Sequence, residues 1–274
     1  MTINCKGQLI DLSSPKIMGI LNTTPDSFYE GSRSQNESDL LKRAEKMLKE
    51  GADFIDIGGY SSRPDAEEVS VEEELQRVVP AIEALVKNFP EILISVDTFR
   101  SKVADESLKA GGAMVNDIAA GNLDKEMMNV VAGHQVPYIM MHMRGNPATM
   151  KKLNQYENML QEILQYFSGK IREARSAGIN DLMIDPGFGF SKNIEQNFEL
   201  LSKADLFQTL ELPVLIGISR KSMIYKTLGT NPSEALNGTT VLNSIALQKG
   251  ASILRVHDVK EAVECVNLVS RVKK

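Results

Sequence analysis

Eight short runs of β-branched and aliphatic residues recur along the chain, and each ends in or beside a polar or charged side chain. The runs are Ile17–Asn22, Phe54–Gly59, Ile92–Thr98, Met114–Ile118, Pro137–Met143, Leu182–Gly187, Pro213–Ser219 and Ser252–Asp258. Short apolar runs separated by longer segments of helical character are typical of buried parallel strands that alternate with helices. Eight such units in 274 residues predict an α/β fold, a (β/α)₈ TIM barrel that forms a single domain over residues 1–274.

The segments between the runs carry helix boundaries. Ser70 and Glu73 have the spacing of a capping box at the start of a helix over Val71–Lys87, and Pro80 is expected to kink or divide that helix. Glycines follow most of the other amphipathic stretches, as they do at helix ends. The remaining predicted helices are Ser38–Glu50, Ser101–Ala110, Gln155–Ala177 and Val259–Val272, the last with Asp258 as N-cap.

Bulk properties limit the partners. A net charge of −5 and a pI near 5.4 argue against nucleic acid, whose phosphates require a basic surface. No apolar run approaches the ~20 residues of a membrane span, and Met1–Gly7 lacks the pattern of a secretory signal. Cys5 and Cys265 are isolated, so we expect free thiols and a cytoplasmic protein.

Carboxylates and amides end several of the predicted strands. Asp56, Asp97 and Asp185 each follow an apolar stretch, and Asn116 does the same. A single strand-end Asp is more often a cap than a catalytic group. Because the carboxyl ends of barrel strands meet at one mouth, these four predict a ring of acceptors for a ligand with N–H donors. A Mg²⁺ site is a second interpretation of the same residues.

Basic residues cluster near the last two strands. Arg255 and His257 alternate along strand eight and therefore point to the same side, while Arg220, Lys221 and Ser222 follow strand seven. The loops after these strands are the usual phosphate site of such barrels. Salt bridges at the barrel rim are the alternative. His142 lies in a run of methionines that favours core packing plus an apolar wall for a flat ligand, and its own role stays undecided.

The loops after the first two strands, about residues 23–36 and 60–69, are long enough to act as lids or substrate clamps. The chain has no His-Glu-x-x-His, Cys-x-x-Cys or Gly-x-Ser-x-Gly motif. It therefore shows no sign of a zinc protease, a redox dithiol or a serine hydrolase.

Two segments resemble signatures of the dihydropteroate synthases. They are Met18-Gly19-Ile20-Leu21-Asn22-Thr23-Thr24-Pro25-Asp26-Ser27-Phe28 and Asp56-Ile57-Gly58-Gly59-Tyr60-Ser61-Ser62-Arg63-Pro64. The resemblance continues in order through Ser95–Thr98, Asn116-Asp117, Met141–Met143, Asp185–Phe190, Ser219–Ser222 and Arg255–Asp258. It covers essentially the whole chain, and the two signatures together are highly specific.

The resemblance implies a barrel enzyme of folate synthesis, a transferase and sulfonamide target. It would condense 6-hydroxymethyl-7,8-dihydropterin diphosphate with 4-aminobenzoate to give 7,8-dihydropteroate and diphosphate. It also implies a homodimer and a Mg²⁺ cofactor bound through Asn22. The implied pterin set is Asp56, Asp97, Asn116, Met140, Asp185, Gly217 and Lys221. The diphosphate set is Asn22, Ser62, Arg63, Arg255 and His257, and the aminobenzoate set is Phe28, Ser62, Arg63, Pro64, Phe190 and Ser222.

The implied mechanism is dissociative. Diphosphate leaves the pterin methylene while Mg²⁺, Arg255 and His257 stabilise its charge, and Asp97 favours the resulting carbocation. Asp97, Lys221, Arg255 and His257 are thus the implied catalytic residues. The chain departs from the family at Asp65, where a glycine is usual. That change could alter the second loop or repel the substrate carboxylate.

Two other functions compete with this interpretation. A methyltetrahydrofolate-dependent corrinoid methyltransferase would share the Asp/Asn ring but would need neither a diphosphate site nor the two signature loops. A non-catalytic pterin-binding barrel would be expected to have lost Asn22, Arg63, Lys221, Arg255 or His257, and all five are present.

Overall fold

The computed structural model describes residues 1–23, 33–60 and 69–272, and for residues 33–36 it describes the backbone alone. Eight parallel strands form the predicted barrel: β3 (Lys16–Asn22), β4 (Phe54–Gly58), β5 (Ile94–Asp97), β6 (Met114–Asp117), β7 (Tyr138–Met141), β8 (Leu182–Asp185), β9 (Leu215–Ile216) and β10 (Ile253–Val256). Their order is β8-β7-β6-β5-β4-β3-β10-β9. A parallel bridge between Ile184 and Val214 joins the two ends, so the single-domain barrel is confirmed.

Helices of the described segments surround the barrel. They are α1 (Arg33–Lys49), α2 (Val71–Asn88), α3 (Ser101–Lys109), α4 (Met127–His134), α5 (Met159–Ser176), α6 (Ile194–Ser202), α7 (Ser222–Tyr225), α8 (Leu236–Gln248) and α9 (Val259–Val272). The predicted cap of α2 is confirmed, because the Ser70 hydroxyl accepts from the Glu73 backbone N–H at 3.1 Å. No described helix is both long and apolar enough to cross a membrane. Both cysteines are buried and free, as expected.

Pro80 does not divide α2, which runs unbroken from Val71 to Asn88. Proline has no N–H to donate to the Gln76 carbonyl, the acceptor four residues earlier in the helix. Pro80 is exposed, so this carbonyl lies on the solvent side. The buried stripe of Val78, Ala81, Ile82 and Leu85 on the same helix is uninterrupted. Packing of that stripe therefore outweighs the loss of one hydrogen bond.

Side chains alternate along each barrel strand between two environments. One set packs outward against the helices, and it includes Val115, Met140 and Ile184. The other set points inward and fills the lower barrel, and it includes Met18, Phe54, Met114, Ile139, Met183, Leu215 and Ile253. Since the alternation continues to the strand ends, the inward positions near the carboxyl ends are Asp56, Asp97, Asn116, Asp185 and Arg255.

A hairpin that the sequence did not reveal closes the amino-terminal end of the barrel. Its strands are β1 (Thr2–Cys5) and β2 (Gln8–Asp11), and they pair antiparallel. Ile3, Cys5 and Leu12 pack in the same buried cluster as the inward residues of the lower barrel. The hairpin is thus a plug at the end opposite the mouth.

Shortening a buried residue of this plug is expected to destabilise the fold. Ile3 is 2% exposed and Leu9, in the same hairpin, is 74% exposed. We expect Ile3→Ala to lower the free energy of unfolding by about 2–5 kcal/mol and Leu9→Ala to change it by less than about 0.5 kcal/mol. Urea denaturation followed by circular dichroism measures both, since the chain has no tryptophan. Equal effects would show that the plug is not part of the core.

Candidate active site

Arg255 joins the carboxylates of two neighbouring strands at the barrel mouth. Its Nε donates to Asp56 Oδ2 at 2.6 Å, and its Nη2 donates to Asp97 Oδ2 at 2.6 Å. The Nη2 atom also lies 2.5 Å from Asp56 Oδ2. Asn116 Nδ2 donates to both Asp56 oxygens at 3.4 Å. The acceptor ring and the basic cluster, which the sequence suggested as separate features, are therefore one network.

Asp97 is a member of this network whose carboxyl has a shifted pKa. Burial raises the pKa of its carboxyl to about 7, Arg255 opposes the shift, and the nearby Asp56 charge adds to it. The side chain keeps 21% exposure, so it lies at the boundary between the core and the mouth. A partly exposed carboxyl with a strongly shifted pKa can contact a ligand in the mouth, and its protonation can change with the charge of that ligand.

The raised pKa of Asp97 has a consequence for stability. A carboxyl that titrates near 7 in the fold and near 3.8 when unfolded makes the protein less stable as pH rises through that window, because the unfolded state releases the proton first. We therefore expect the free energy of unfolding of Asp97→Asn, relative to that of the unmodified protein, to increase between about pH 4 and pH 7 and to stay level above pH 7. Urea denaturation at several pH values tests this, and a pH-independent difference between the two proteins would contradict it.

Asp185 lies across the mouth from this network. It is 5% exposed, and its Oδ1 accepts the Gly187 backbone N–H at 2.8 Å. Burial raises the pKa of its carboxyl, while Lys221 acts in the opposite direction. The second carboxylate oxygen is thus positioned by a rigid turn, with a cation nearby.

Lys221 is held over the loop that follows β8. Its Nζ donates to the Phe188 carbonyl at 2.5 Å and lies 4.9 Å from the centre of the Phe190 ring. Burial lowers the pKa of the ammonium to about 8, and the Asp185 carboxylate opposes that shift. Gly189 has a φ of +81°, and a Cβ there would lie 3.3 Å from Lys221 Cδ. The positive φ favours glycine at this turn, and a larger residue would also displace the Lys221 side chain by a few tenths of an ångström.

His257 is exposed at the rim next to Arg255. Its Nδ1 lies 3.0 Å from Ser219 Oγ, which also accepts the His257 backbone N–H at 3.2 Å. The surrounding protein and the Arg255 charge lower the pKa of the imidazole to about 4. The ring is therefore neutral near pH 7. Ser219 was not singled out in the sequence, although it stands directly before the Arg220-Lys221-Ser222 segment.

Three further predicted positions lie around the same mouth. Gly217 is buried in the wall, and a Cβ there would lie 3.7 Å from Arg255 Cβ and 4.0 Å from Lys221 Nζ. Ser222 opens α7 directly after Lys221. Phe190 is half-buried and packs beside a cluster of the upper barrel that includes Met141.

Met140 was predicted to contact the pterin, but its side chain does not face the mouth. It is fully buried in the layer between the barrel and the helices, together with Val115 and Ile184. Met141 points the other way along β7 and packs near Phe190. Because neighbouring residues of a strand face opposite sides, we expect Met141, and not Met140, to contact a ligand in the mouth.

Asn22 ends β3 and is exposed. Among the described residues there is no group of three or more His, Cys, Asp or Glu side chains that could hold a metal ion. The described residues therefore do not form a metal cage from protein ligands alone. One amide oxygen at the mouth does fit Mg²⁺ when the other ligands are substrate phosphates and water, which is how this ion usually binds.

Several predicted site residues, Phe28, Ser62, Arg63 and Pro64, lie outside the described residues, as do Asp65 and most of the two loops. The residues that bracket the second loop are described. Arg100 Nη2 donates to the Val69 carbonyl at 2.6 Å, and its guanidinium lies 5.3 Å from the centre of the Tyr60 ring. Glu74, which is fully buried, accepts from Arg100 Nη1 at 2.7 Å. Neither Arg100 nor Glu74 was identified from the sequence.

Comparisons with known proteins agree with this geometry. The family profile described as Pterin binding enzyme matches residues 18–257, so the barrel and its mouth define a pterin-binding enzyme. Among curated relatives, dihydropteroate synthase of Escherichia coli strain K12 is 45% identical over 271 residues, which is 98% of this chain and 95% of the relative. The Synechocystis enzyme of the same name is 44% identical over 89% of this chain and 85% of the relative.

Solved structures give the same result. A Yersinia pestis dihydropteroate synthase in a sulfonamide drug complex superposes with a TM-score of 0.93 at 42% identity, over 100% of this chain and 99% of the other. A Xanthomonas albilineans dihydropteroate synthase with 4-aminobenzoic acid gives 0.91 at 37% identity, over 99% and 98%. The chain belongs to the dihydropteroate synthases, a family of transferases in folate biosynthesis. The resemblance carried by the two signatures is thereby confirmed.

Proposed function

We propose that this protein condenses 6-hydroxymethyl-7,8-dihydropterin diphosphate with 4-aminobenzoate by a dissociative displacement. The observation that carries the proposal is the pairing of Arg255 with Asp56 and Asp97 at a mouth that Lys221 and Asp185 face from the other side. Such a site combines acceptors for the amino-pyrimidinone edge of a pterin with cations for a diphosphate. Membership of the family supports the same chemistry.

The pterin would bind deepest. Asp185 and Asn116 are 5% and 4% exposed, and their oxygens suit the N–H donors of the pterin ring. Lys221 would contact the opposite, acceptor-rich part of the ring or its carbonyl. Met141 and Gly217 would provide an apolar wall and a flat floor. A buried carboxylate is more strongly attracted to such donors than one in water, because the local dielectric constant is low.

The diphosphate would bind at the rim. Arg255 provides a guanidinium, and His257 provides a neutral imidazole. Ser219 Oγ accepts the His257 backbone N–H, and its own hydrogen is free to be donated to Nδ1. In that arrangement the His257 proton would lie on Nε2, where it can be donated to the leaving group. Asn22 would hold Mg²⁺, which when bound supplies positive charge to the departing diphosphate.

The chemical step requires charge stabilisation more than a nucleophile. As the bond from the methylene carbon to the diphosphate oxygen breaks, negative charge grows on that oxygen next to Arg255 and His257. Positive charge grows on the methylene and the pterin ring, near ionised Asp97. The aminobenzoate nitrogen then attacks the carbon and loses a proton. Phe190 and Ser222 would border the aminobenzoate, together with Phe28, Ser62, Arg63 and Pro64, and the two loops would exclude water.

The proposal is tested by measuring diphosphate release from the purified protein with Mg²⁺ and the pterin diphosphate, with and without 4-aminobenzoate. We expect release coupled to formation of 7,8-dihydropteroate. Tight pterin-diphosphate binding without product would place the defect in the aminobenzoate pocket, with Asp65 examined first by Asp65→Gly. A protein that does not bind the pterin diphosphate would contradict the proposal and favour the corrinoid methyltransferase or the non-catalytic barrel.

The assembly and compartment are part of the same proposal. We propose a homodimer in the cytoplasm. The dimer is supported by exposed apolar side chains on and near the two packed helices α8 and α9: Leu228, Val241, Leu268 and Val272 are between 50% and 77% exposed. Apolar side chains of this kind can form an interface where they lie on one face. Light scattering on the purified protein would give twice the 30.2 kDa chain mass if this is correct. The same aminobenzoate pocket would accept sulfonamides, as the solved complex of the Yersinia pestis relative suggests.

A further inference from the structure

A buried ammonium lies behind the site and has no part in the chemistry proposed above. Lys192 is 9% exposed, and it lies in the loop that connects β8 with α6. Its Nζ donates to the Gly187 carbonyl at 2.9 Å and to the Phe190 carbonyl at 3.0 Å, and it lies 3.2 Å from His142 Nδ1. A lysine ammonium has three N–H donors, so each of them has an acceptor.

These acceptors are neutral groups. Among the described residues, no carboxylate lies within salt-bridge distance of Lys192 Nζ. Burial lowers the pKa of Lys192 to about 7, and the Asp185 carboxylate opposes that shift only at longer range. His142 is 3% exposed, and burial together with the Lys192 charge lowers the pKa of its imidazole to about 2. The imidazole is therefore neutral, and its Nδ1 accepts from the ammonium. This contact gives a role to His142, which the sequence left undecided.

The segment that Lys192 holds contains three residues in the left-handed region. Gly187 and Gly189 have φ values of +74° and +81°, and Ser191 has a φ of +51°. Within the turn the Phe190 N–H donates to the Gly187 carbonyl at 3.1 Å, and Lys192 supplies a second donor to the same carbonyl. A Cβ at Gly187 would lie 2.1 Å from the His142 carbonyl oxygen, so the turn also lies very close to the end of β7.

The same turn positions groups of the proposed active site. The Gly187 N–H donates to Asp185, the Phe188 carbonyl accepts from Lys221, and the Phe190 ring lies under the Lys221 ammonium. A shift of this turn would therefore move Phe190 and Lys221 together. Asp97, Asn116 and Arg255 belong to other strands and are not attached to the turn.

We propose that Lys192 is a positioning residue, whose ammonium fastens the turn Gly187–Phe190 to His142 at the end of β7 and thereby places the Phe190 ring for the arylamine. The kinetic part of this inference rests on the proposed function. Lysine suits the position because it supplies three donors at one atom, and no neutral side chain of similar length does so. Loss of the ammonium would leave two buried carbonyls without one of their donors.

The kinetic test is Lys192→Met. We expect kcat/KM for 4-aminobenzoate to fall by about 100-fold, since small misplacement of binding groups has effects of that size. Affinity for the pterin diphosphate, measured separately by calorimetry, should fall much less. Asp97, Asn116 and Arg255 are not attached to the turn, and the backbones of Asp185 and Lys221 belong to β8 and to the segment after β9, whereas Phe190 is part of the turn. Lys170→Met is the matched control. Lys170 is also largely buried, at 12% side-chain exposure, but it pairs with Glu173 on α5, away from the mouth.

A purely structural role would reduce the folded fraction of the protein. That loss lowers the calorimetric stoichiometry and the apparent kcat/KM by the same factor, so kcat/KM per binding-competent site would keep the wild-type value. A folded Lys192→Met protein with wild-type kinetics for 4-aminobenzoate overturns the proposal, and so does an equal loss for both substrates. If Lys192→Met does not fold, the same two measurements are made on Lys192→Arg. It keeps the charge with a different geometry, so a smaller loss confined to 4-aminobenzoate is expected.

A second measurement does not depend on turnover. With ¹⁵N-labelled histidine, the chain gives signals from only three imidazoles, and His142→Gln identifies one of them. We expect His142 Nδ1 of the unmodified protein to be unprotonated at pH 7 and its signal to shift in Lys192→Met. A proton on Nδ1 overturns the proposed contact, whatever the enzyme does. Absence of turnover in the unmodified protein would instead contradict the proposed function alone.

Discussion

Replacing Arg255 with methionine is expected to lower kcat/KM for the pterin diphosphate by about 100- to 1,000-fold, as removal of a charge-stabilising donor does in other enzymes. Two effects combine. The leaving diphosphate loses a cation, and Asp97 loses the group that opposes the upward shift of its pKa. The pKa of Asp97 should then rise above 7, so that the acid limb of the pH–rate profile moves to higher pH.

The fold must be checked in the same variant. Asp56 is 1% exposed, and unpairing a buried carboxylate reduces stability by about 3–5 kcal/mol. Thermal denaturation separates that effect from the kinetic one, and Arg255→Lys retains a charge if the methionine variant unfolds. Arg175→Met is the control, since Arg175 Nη1 donates to the Ile179 carbonyl at the end of α5. Wild-type turnover in folded Arg255→Met would remove Arg255 from the mechanism.

Asp185→Asn is expected to weaken binding of an unreactive pterin by about 10- to 100-fold, because a hydrogen bond to a charged acceptor contributes about 1.5–3 kcal/mol. Burial raises the pKa of the Asp185 carboxyl, so the neutral amide should not reduce stability. Calorimetric titration with 6-hydroxymethylpterin gives the affinity directly.

Asp117→Asn is the matched control for this experiment. Asp117 also ends a barrel strand and is fully buried, but its oxygens accept from the Tyr138 hydroxyl at 2.6 Å and from the backbone N–H groups of Ala119 and Gly121. We expect Asp117→Asn to lower stability and leave pterin affinity unchanged. If Asp185→Asn behaves like this control, Asp185 does not contact the pterin.

These predictions depend on features that differ in how well the sequence reveals them. The eight strands and their polar ends were predictable, because each apolar run is local and because strand ends of a barrel converge. The plug formed by β1 and β2 was not, since two strands of four residues give too little pattern. The helices α4, α6, α7 and α8 were also left unassigned, although the capping box of Asn193 and Gln196 marks the start of α6.

Contacts across the barrel are the part that sequence reasoning could not supply. Arg255 lies 199 residues from Asp56 and 158 residues from Asp97 along the chain, so no local pattern indicates that they pair. The burial of Lys192 was harder still to predict, because a lysine between a Gly-rich turn and a helix is usually a surface residue. The side chain is buried because β8 packs beside β7, and that pairing is known only from the structure.

The plug at the far end of the barrel also bears on how the two substrates reach their sites. The plug and the inward side chains of the lower barrel close that end, so a ligand reaches the site from the mouth. Asp185 and Asn116 are buried there, whereas Phe190 and Ser222 are partly exposed. A bound arylamine would therefore obstruct the path of a pterin. We expect ordered kinetics in which the pterin diphosphate binds first, and poor binding of 4-aminobenzoate to the empty protein.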